Sequence, residues 1–108
     1  MYEGLREAHR YASQGRVLEL VFCLFLCKGV RKAIRIEEIT GQAITTYPDY
    51  FYTWVNDDRV PDMAVIMLTL HEAAMEKLVA GNWHDGWRLT QRGLRSAQDI
   101  DRRRMASH

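Results

Sequence analysis

Histidine, cysteine and carboxylate side chains are the residues of this chain that could bind a metal or carry out catalysis. His71 and Glu72 begin the His-Glu-x-x-His pattern of zinc proteases, but Met75 stands where the second histidine belongs. Cys23 and Cys27 are four residues apart in an apolar stretch, which favours reduced thiols in the core. The sequence also lacks a glycine-rich phosphate loop and a Gly-x-Ser-x-Gly motif. We therefore expect no catalytic residues, no metal and no cofactor.

The charged residues are unevenly distributed along the chain, although the net charge is only +1. Residues 1–35 carry a net charge of +4, residues 36–76 carry −7 and residues 77–108 carry +4. A cluster of four basic side chains closes the first block: Lys28, Arg31, Lys32 and Arg35. Such a cluster suits a phosphate backbone, and it equally suits an ordinary solvated turn, so both interpretations stay open.

Five aromatic residues fall within eight positions on either side of Pro48: Tyr47, Tyr50, Phe51, Tyr52 and Trp54. Pro48 and Asp49 favour the start of a short helix, on which Tyr47, Phe51 and Trp54 would share one face. Tyrosine and tryptophan are frequent hot spots of protein interfaces, and they also fill large buried spaces. The cluster is therefore expected to be either a plug in the core or a surface that binds a partner.

Apolar periodicity predicts that most of the chain is helical. The central helix begins after Ser13, includes the apolar run at residues 17–27 and ends at Gly29, because glycine suits the left-handed closing position. The other predicted elements before residue 62 are a helix at 3–12, a strand at 33–35 and a short helix that ends near Gly41. A long helix covers residues 62–80 and ends at Gly81, with an inward stripe formed by Met63, Ile66, Met67, Leu70, Ala74 and Leu78.

The segment after Gly81 carries a strong hairpin signal. Asp85-Gly86 lies between Trp83 and Trp87, and it predicts a tight turn whose strands are locked by a cross-strand tryptophan pair. Thr90 then suits the N-cap of a last helix over residues 90–104. These elements predict one domain, residues 1–108 with a core at about 13–97, that is mainly α with a small β-hairpin.

The segment Leu89-Thr90-Gln91-Arg92-Gly93 resembles the segment that follows the wing in bacterial winged-helix regulators of the PadR and MarR type. The resemblance implies a winged helix-turn-helix with extra N- and C-terminal helices, in which the helix at 62–80 enters the DNA major groove. It also implies a homodimer formed by the terminal helices. The resulting candidates for DNA contact are Lys28, Arg31, Lys32, Arg35, Thr69, His84, Arg88 and Arg92.

Two functions from different classes are consistent with these observations. The first is a dimeric protein that binds double-stranded DNA through its basic end blocks, as a transcriptional regulator does. The second is an interaction module whose acidic and aromatic middle, residues 36–76, binds a protein partner, for example a nucleic-acid-binding protein that it inhibits. The carboxylates of the long helix favour the second, whereas the resemblance to regulators favours the first. The candidate interface residues of the second are Tyr47, Tyr50, Tyr52, Trp54, Glu72 and Glu76.

The longest apolar run bears on the location of the protein. Residues 17–27 include Glu19, and the run is shorter than the roughly 20 residues that cross a bilayer. The first ten residues lack the apolar region of a secretory signal. We therefore expect a cytoplasmic protein.

Overall fold

A computed structural model describes residues 16–106, so the helix predicted at 3–12 and the Ser13 cap lie outside the described residues. Within this range the chain is mainly helical, with two antiparallel β-hairpins. The elements in chain order are α1 (residues 16–26), α2 (Ile36–Thr46), α3 (Pro48–Phe51), β1 (Tyr52–Val55), β2 (Asp58–Pro61), α4 (Met63–Met75), β3 (Val79–Asn82), β4 (Gly86–Leu89) and α5 (Gln91–Ala106). None of the helices between residues 16 and 106 combines the length and the apolar content that a membrane span requires.

Helix α1 contributes more buried apolar residues than any other described element. Val17, Leu20, Val21 and Leu24 recur at three- and four-residue spacing, and each is at most 1% exposed. The other elements of the core supply Ile34, Ile39, Ala43, Phe51, Ile66, Leu70, Ala73, Leu78, Val79, Trp87, Leu89 and Ala97. The core therefore joins α1 to each other helix and to the β3–β4 hairpin.

The end of α1 is closed by a left-handed lysine, and the prediction that Gly29 closes this helix was wrong. Lys28 has a φ of 64°. Its amide donates to the Phe25 carbonyl at 3.0 Å, and the Gly29 amide donates to the Leu24 carbonyl at 2.8 Å, which together form a Schellman motif. Gly29 is required for a different reason, because a Cβ there would lie 2.9 Å from the carbonyl oxygen of Leu24.

Helix α2 continues past the glycine that was predicted to end it. It reaches Thr46, and the amide of Tyr47 still donates to the Ala43 carbonyl at 2.8 Å. A Cβ at Gly41 would meet no atom within 4 Å, so nothing in the surroundings of this exposed residue requires a glycine. The prediction failed because a single glycine weakens a helix by only about 1 kcal/mol and does not end it.

The aromatic segment forms a short helix followed by a hairpin, and the predicted single helical face is wrong. Helix α3 begins at Pro48 as expected but ends at Phe51, after which β1 pairs with β2. Asn56 and Asp57 form the turn, and their φ values of 50° and 69° are typical of a type I′ turn. Phe51 is consequently buried in the core, whereas Trp54 lies on a strand and is 69% exposed.

Helix α4 is capped at its N-terminus by Asp62, and it is shorter than expected. The carboxylate of Asp62 accepts a hydrogen bond from the Val65 amide at 3.2 Å. The helix ends at Met75 instead of residue 80, because Lys77 has a φ of 62° and reverses the chain. The amide of Lys77 donates to Ala74 and that of the next residue donates to Ala73, so Gly81 is not the closing residue.

The buried stripe of α4 is rotated relative to the prediction. Ile66 and Leu70 are buried as expected, but Met63 and Met67 are 39% and 43% exposed. Thr69 and Ala73 take their places in the core. Both stripes have helical spacing, and the packing against α1 and α3, which the sequence pattern does not contain, selects between them.

The predicted hairpin at Trp83–Trp87 is confirmed. Strand β3 pairs with β4 in antiparallel register, with Asn82 opposite Gly86 and a turn at residues 83–85. The predicted strand at 33–35 is reduced to one bridge, in which Ile34 pairs with Trp87. Helix α5 follows directly, and Thr90 caps it as predicted, since its hydroxyl oxygen accepts a hydrogen bond from the Gly93 amide at 3.1 Å.

Thr90 and Gly93 also fix the start of α5 against Lys77 and Leu78, the residues that follow α4. The Thr90 hydroxyl donates to the Lys77 carbonyl at 2.6 Å, and the Thr90 amide donates to the Leu78 carbonyl at 3.1 Å. A Cβ added at Gly93 would overlap the carbonyl oxygen of Leu78. The Leu-Thr-x-x-Gly segment therefore has a local physical role: the threonine joins the two helix ends and the glycine lets them approach.

Candidate functional site

The loop between α1 and α2, residues 28–35, is joined to the β3–β4 hairpin by backbone hydrogen bonds. The Ile34 amide donates to the Trp87 carbonyl at 2.7 Å, and the Trp87 amide donates back to Ile34 at 2.8 Å. Further along β4, the Leu89 amide donates to the Gly29 carbonyl at 3.0 Å. A Cβ at Gly86 would lie 2.7 Å from the Ile34 carbonyl oxygen, so the turn packs directly against this loop.

Five basic side chains that the loop and β4 carry are all exposed. We call them the basic surface: Lys28, Arg31, Lys32, Arg35 and Arg88. Ile34 and Trp87 are paired and buried, so the residues that follow them, Arg35 and Arg88, project from the opposite, outer side. The contact between loop and strand thus places two segments that carry basic residues, one from the first and one from the third charge block, beside each other.

The tip of the β3–β4 hairpin is organised by Asn82. Its side-chain oxygen accepts hydrogen bonds from the amides of His84 at 2.9 Å and Asp85 at 2.7 Å, and its amide nitrogen donates to the Asp85 carboxylate at 3.2 Å. These bonds hold the turn while leaving the His84 ring exposed. The tip therefore offers one imidazole to a ligand, with one carboxylate beside it.

The two tryptophans of the hairpin are in contact, but they are not opposite each other across the strands. Trp87 is paired with Gly81, and Trp83 lies in the turn. Their rings meet edge to face with centroids 5.1 Å apart. Trp87 is 6% exposed and Trp83 is 47% exposed, so one anchors the hairpin in the core and the other covers it.

Two other candidates for DNA contact have different positions. Thr69 is 1% exposed inside the core, so its prediction as a contact residue is wrong. It was assigned to the outward side because the buried stripe of α4 was predicted one face away from its actual position. Arg92 is exposed in the first turn of α5, two residues beyond Thr90.

The outward side of α4 is apolar, a feature that the sequence analysis missed. We call its exposed residues the methionine face: Met63, Ala64, Met67, Leu68, His71 and Met75. None of them is Lys or Arg, so this side offers phosphate oxygens only the imidazole of His71. A signal was present in the sequence, since residues 60–76 contain no Lys or Arg but three methionines and three carboxylates.

The acidic candidates border this helix. Glu72 is partly buried on α4, and Glu76 is exposed immediately after its last residue. Asp62 is engaged at the other end as the N-cap. The negative charge of the middle block is thus divided between the two surfaces: Glu72 and Glu76 lie beside the methionine face, whereas the exposed Glu37 and Glu38 follow Arg35 in the first turn of α2.

The aromatic cluster is divided between the core and the surface. Tyr47 packs against Phe22, with ring centroids 6.5 Å apart, and its hydroxyl accepts a hydrogen bond from Arg104 at 3.1 Å. Burial and a hydrogen bond with Glu19 raise the pKa of Tyr47. An open cleft of about 310 Å³ lies beside these groups, lined by Leu18, Glu19, Tyr47, Ile100, Arg103 and Arg104.

The remaining aromatic candidates are more accessible. Tyr50 is 46% exposed, and Trp54 is 69% exposed on β1. Tyr52 is half-buried beneath Arg59, whose guanidinium lies 4.3 Å from the ring centroid. The expectation of a plug in the core is thus confirmed for Phe51, with Tyr47 packed against the core, whereas Tyr50 and Trp54 are exposed and their binding of a partner stays a prediction.

The cysteines are free thiols. Burial, reinforced by the neighbouring Cys27, raises the pKa of Cys23 to about 12, and burial also raises the pKa of Cys27. Both thiols are therefore protonated near neutral pH. Across residues 16–106, no three His, Cys, Asp or Glu side chains are grouped as metal ligands would be.

Comparison of the chain with protein-family models, with curated protein sequences and with solved structures found no match. Function is therefore argued from the two surfaces themselves.

Proposed function

We propose that this protein is a winged-helix protein that binds the backbone of double-stranded DNA through its basic surface. The observation that carries the proposal is the hydrogen-bonded contact between the loop at 28–35 and β4. It groups Lys28, Arg31, Lys32 and Arg35 with Arg88. Five exposed cations without an intervening carboxylate in either segment suit a row of phosphates.

The order of elements supports the winged-helix assignment. Helices α2 and α4 correspond to the two helices of a helix-turn-helix, and the β3–β4 hairpin corresponds to the wing. The β1–β2 hairpin then occupies the place of the turn between the two helices. The Thr90 cap and the close approach at Gly93 account locally for the threonine and the glycine of the segment on which the resemblance to PadR and MarR regulators rests.

The composition of α4 determines the kind of DNA binding that we propose. Base edges are read by hydrogen-bonding side chains, and α4 exposes four apolar side chains and an alanine beside His71. The binding is therefore independent of sequence and dominated by phosphate contacts from the loop and the wing. A homodimer, as the resemblance implies, would place two such surfaces on one duplex.

The salt dependence of duplex binding tests this proposal. Five phosphate contacts give a slope of about −4.5 in a plot of log K against log salt, so a fourfold rise in salt lowers affinity about 500-fold. The experiment is an anisotropy titration of a fluorescein-labelled duplex with the full chain at several salt concentrations. The double variant Arg31→Ala/Lys32→Ala should flatten the slope to about −2.7.

The matched control removes the same number of charges elsewhere. Arg102→Ala/Arg103→Ala lies near the C-terminal end of α5, where both side chains are exposed and paired with Asp99. This control should keep the wild-type slope. Absence of duplex binding at low salt, or an equal loss in the two double variants, would refute the proposal.

A further inference from the structure

The methionine face is a mainly apolar stripe on the side of α4 turned away from the core, and its first residue touches α2, where the Thr40 hydroxyl donates to the Met63 sulfur at 3.7 Å. Met63, Met67, Leu68 and Met75 are 39%, 43%, 38% and 70% exposed, and they recur at spacings that keep them on one side of α4. Isolated apolar residues are common on protein surfaces, whereas a contiguous patch marks an interaction site. Methionine side chains are flexible and polarizable, which suits a surface that adapts to its partner.

We propose that the methionine face binds a basic amphipathic helix of a protein partner. Helix α4 has 13 residues, about 20 Å of axis, which is the length that a partner helix of three to four turns would cover. Rows of side chains four residues apart, such as Met63, Met67 and His71, form the ridges that pack into the grooves of another helix. The stripe therefore suits a helix that lies along α4.

The charged residues around the methionine face specify the sign of the charge that the partner carries. Residues 62–77 contain three carboxylates and one cation, Lys77, which follows Glu76 after the end of the helix. Glu72 and Glu76 border the stripe near its C-terminal end. Lysine or arginine on the flanks of an apolar helix face would complement these groups, and acidic residues there would be repelled.

Two other occupants are disfavoured by the same residues. A symmetric dimer through this face would place the same patch against itself, so Glu72 and Glu76 would add like charge to the interface. Duplex DNA would find carboxylates and methyl groups where it needs cations. The partner helix and the DNA backbone are thus assigned to different surfaces, and each can be tested without the other.

The test uses the full chain and two synthetic probe peptides that differ only in charge. One is a helical leucine–lysine peptide with leucines on one face, and the other is its leucine–glutamate counterpart. We expect the basic peptide to bind in a calorimetric titration and the acidic peptide not to bind. In a spectrum of ¹³C-labelled methionine methyl groups, Met67 and Met75 should shift on addition of the basic peptide, while Met105 should not.

Met105 also provides the matched control variant, since it is 70% exposed on α5, as Met75 is on α4. Met75→Lys and Glu72→Lys should each weaken peptide binding about tenfold, the effect of losing about 1.4 kcal/mol at an interface. Met105→Lys should change it less than about twofold, which remains within the ±0.5 kcal/mol usual for surface substitutions. Circular dichroism of each variant confirms that it is folded.

The outcomes separate this inference from the DNA proposal. Salt-steep duplex binding that persists in Met75→Lys, together with lost peptide binding, supports both. Equal binding of the two peptides, or no binding of the basic one, overturns the inference and leaves the DNA proposal untouched. If the protein self-associates and Met75→Lys abolishes the self-association, the occupant of the methionine face is a second copy of the chain. If Met75→Lys abolishes DNA binding, the occupant is duplex DNA. Either result overturns the inference.

Discussion

The same substitution, glycine to alanine, should have opposite effects at Gly93 and at Gly41. Both residues lie in helices, where alanine is favoured by about 1 kcal/mol. At Gly41 a Cβ would meet nothing within 4 Å, so Gly41→Ala should raise the free energy of unfolding by this full amount. At Gly93 a Cβ would lie 2.9 Å from the carbonyl carbon of Leu78 and closer still to its oxygen, so α5 must move.

The contacts that hold α5 against Lys77 and Leu78 determine how much free energy of unfolding is lost when α5 moves. Overpacking costs about 1–3 kcal/mol, and a displaced α5 also strains the two hydrogen bonds from Thr90 to Lys77 and Leu78, each with a net contribution of about 1 kcal/mol. After the gain in helix propensity, Gly93→Ala should lower the free energy of unfolding by about 3 kcal/mol. For a chain of this length that corresponds to a melting temperature about 15 °C lower, against a rise of about 5 °C for Gly41→Ala.

Thermal and urea unfolding followed by far-ultraviolet circular dichroism measures both variants. Because the two substitutions are chemically identical, differences in side-chain entropy and helix propensity are largely matched. A Gly93→Ala variant as stable as the wild type would show that α5 does not approach the Leu78 carbonyl this closely. The Leu-Thr-x-x-Gly segment would then have no role in joining the two helix ends.

Three further predictions concern single residues. Lys77→Gly should raise the free energy of unfolding by about 1 kcal/mol, because glycine adopts a φ of 62° without the steric cost that lysine carries. Lys77→Ala removes the same charge but keeps a Cβ, so it should not raise the free energy of unfolding. Urea titrations of the two variants therefore separate the effect of the backbone conformation from that of the charge. Asp57→Gly should stabilise the type I′ turn by a few tenths to about 1 kcal/mol, and a melting temperature below that of the wild type would contradict that turn. The pKa of Cys23 is raised from 9.0 to about 12, so the folded state keeps a proton that the unfolded chain loses. Its contribution to stability is complete below about pH 9 and declines as the pH rises towards 12, and urea titrations of the wild type across this interval should show a decline that is smaller in Cys23→Ala.

Local signals in the sequence were sufficient for several elements of the C-terminal half of the fold. Asp85-Gly86 specifies a turn, Asp62 and Thr90 are side chains that cap helices, and each acts within a few residues of its position. The β3–β4 hairpin and the starts of α4 and α5 were therefore predictable. The helix ends were not, because lysines at Lys28 and Lys77 adopt a backbone conformation that their type disfavours.

Features that depend on tertiary packing were not predictable. The aromatic residues after Phe51 suit a strand or a buried helix face equally, and only the left-handed pair Asn56 and Asp57 produces the hairpin. Likewise, α4 carries two stripes of helical spacing, and contact with the core buries the one that contains Thr69. The basic loop was identified from charge alone, but its attachment to β4, through the bridge between Ile34 and Trp87 and the hydrogen bond from Leu89 to Gly29, is a tertiary contact that charge does not reveal.

The β1–β2 hairpin leaves and rejoins the helical frame at almost the same point. The amide of Asp62 donates to the carbonyl of Phe51 at 2.7 Å, which closes the neck of the hairpin. Residues 52–61 are therefore a side branch whose length can vary without moving α2 relative to α4, since lengthening a closed loop costs little entropy. The exposed turn at Asn56 and Asp57 is consequently the place where a dye or an affinity tag can be inserted with the least disturbance to either proposed surface.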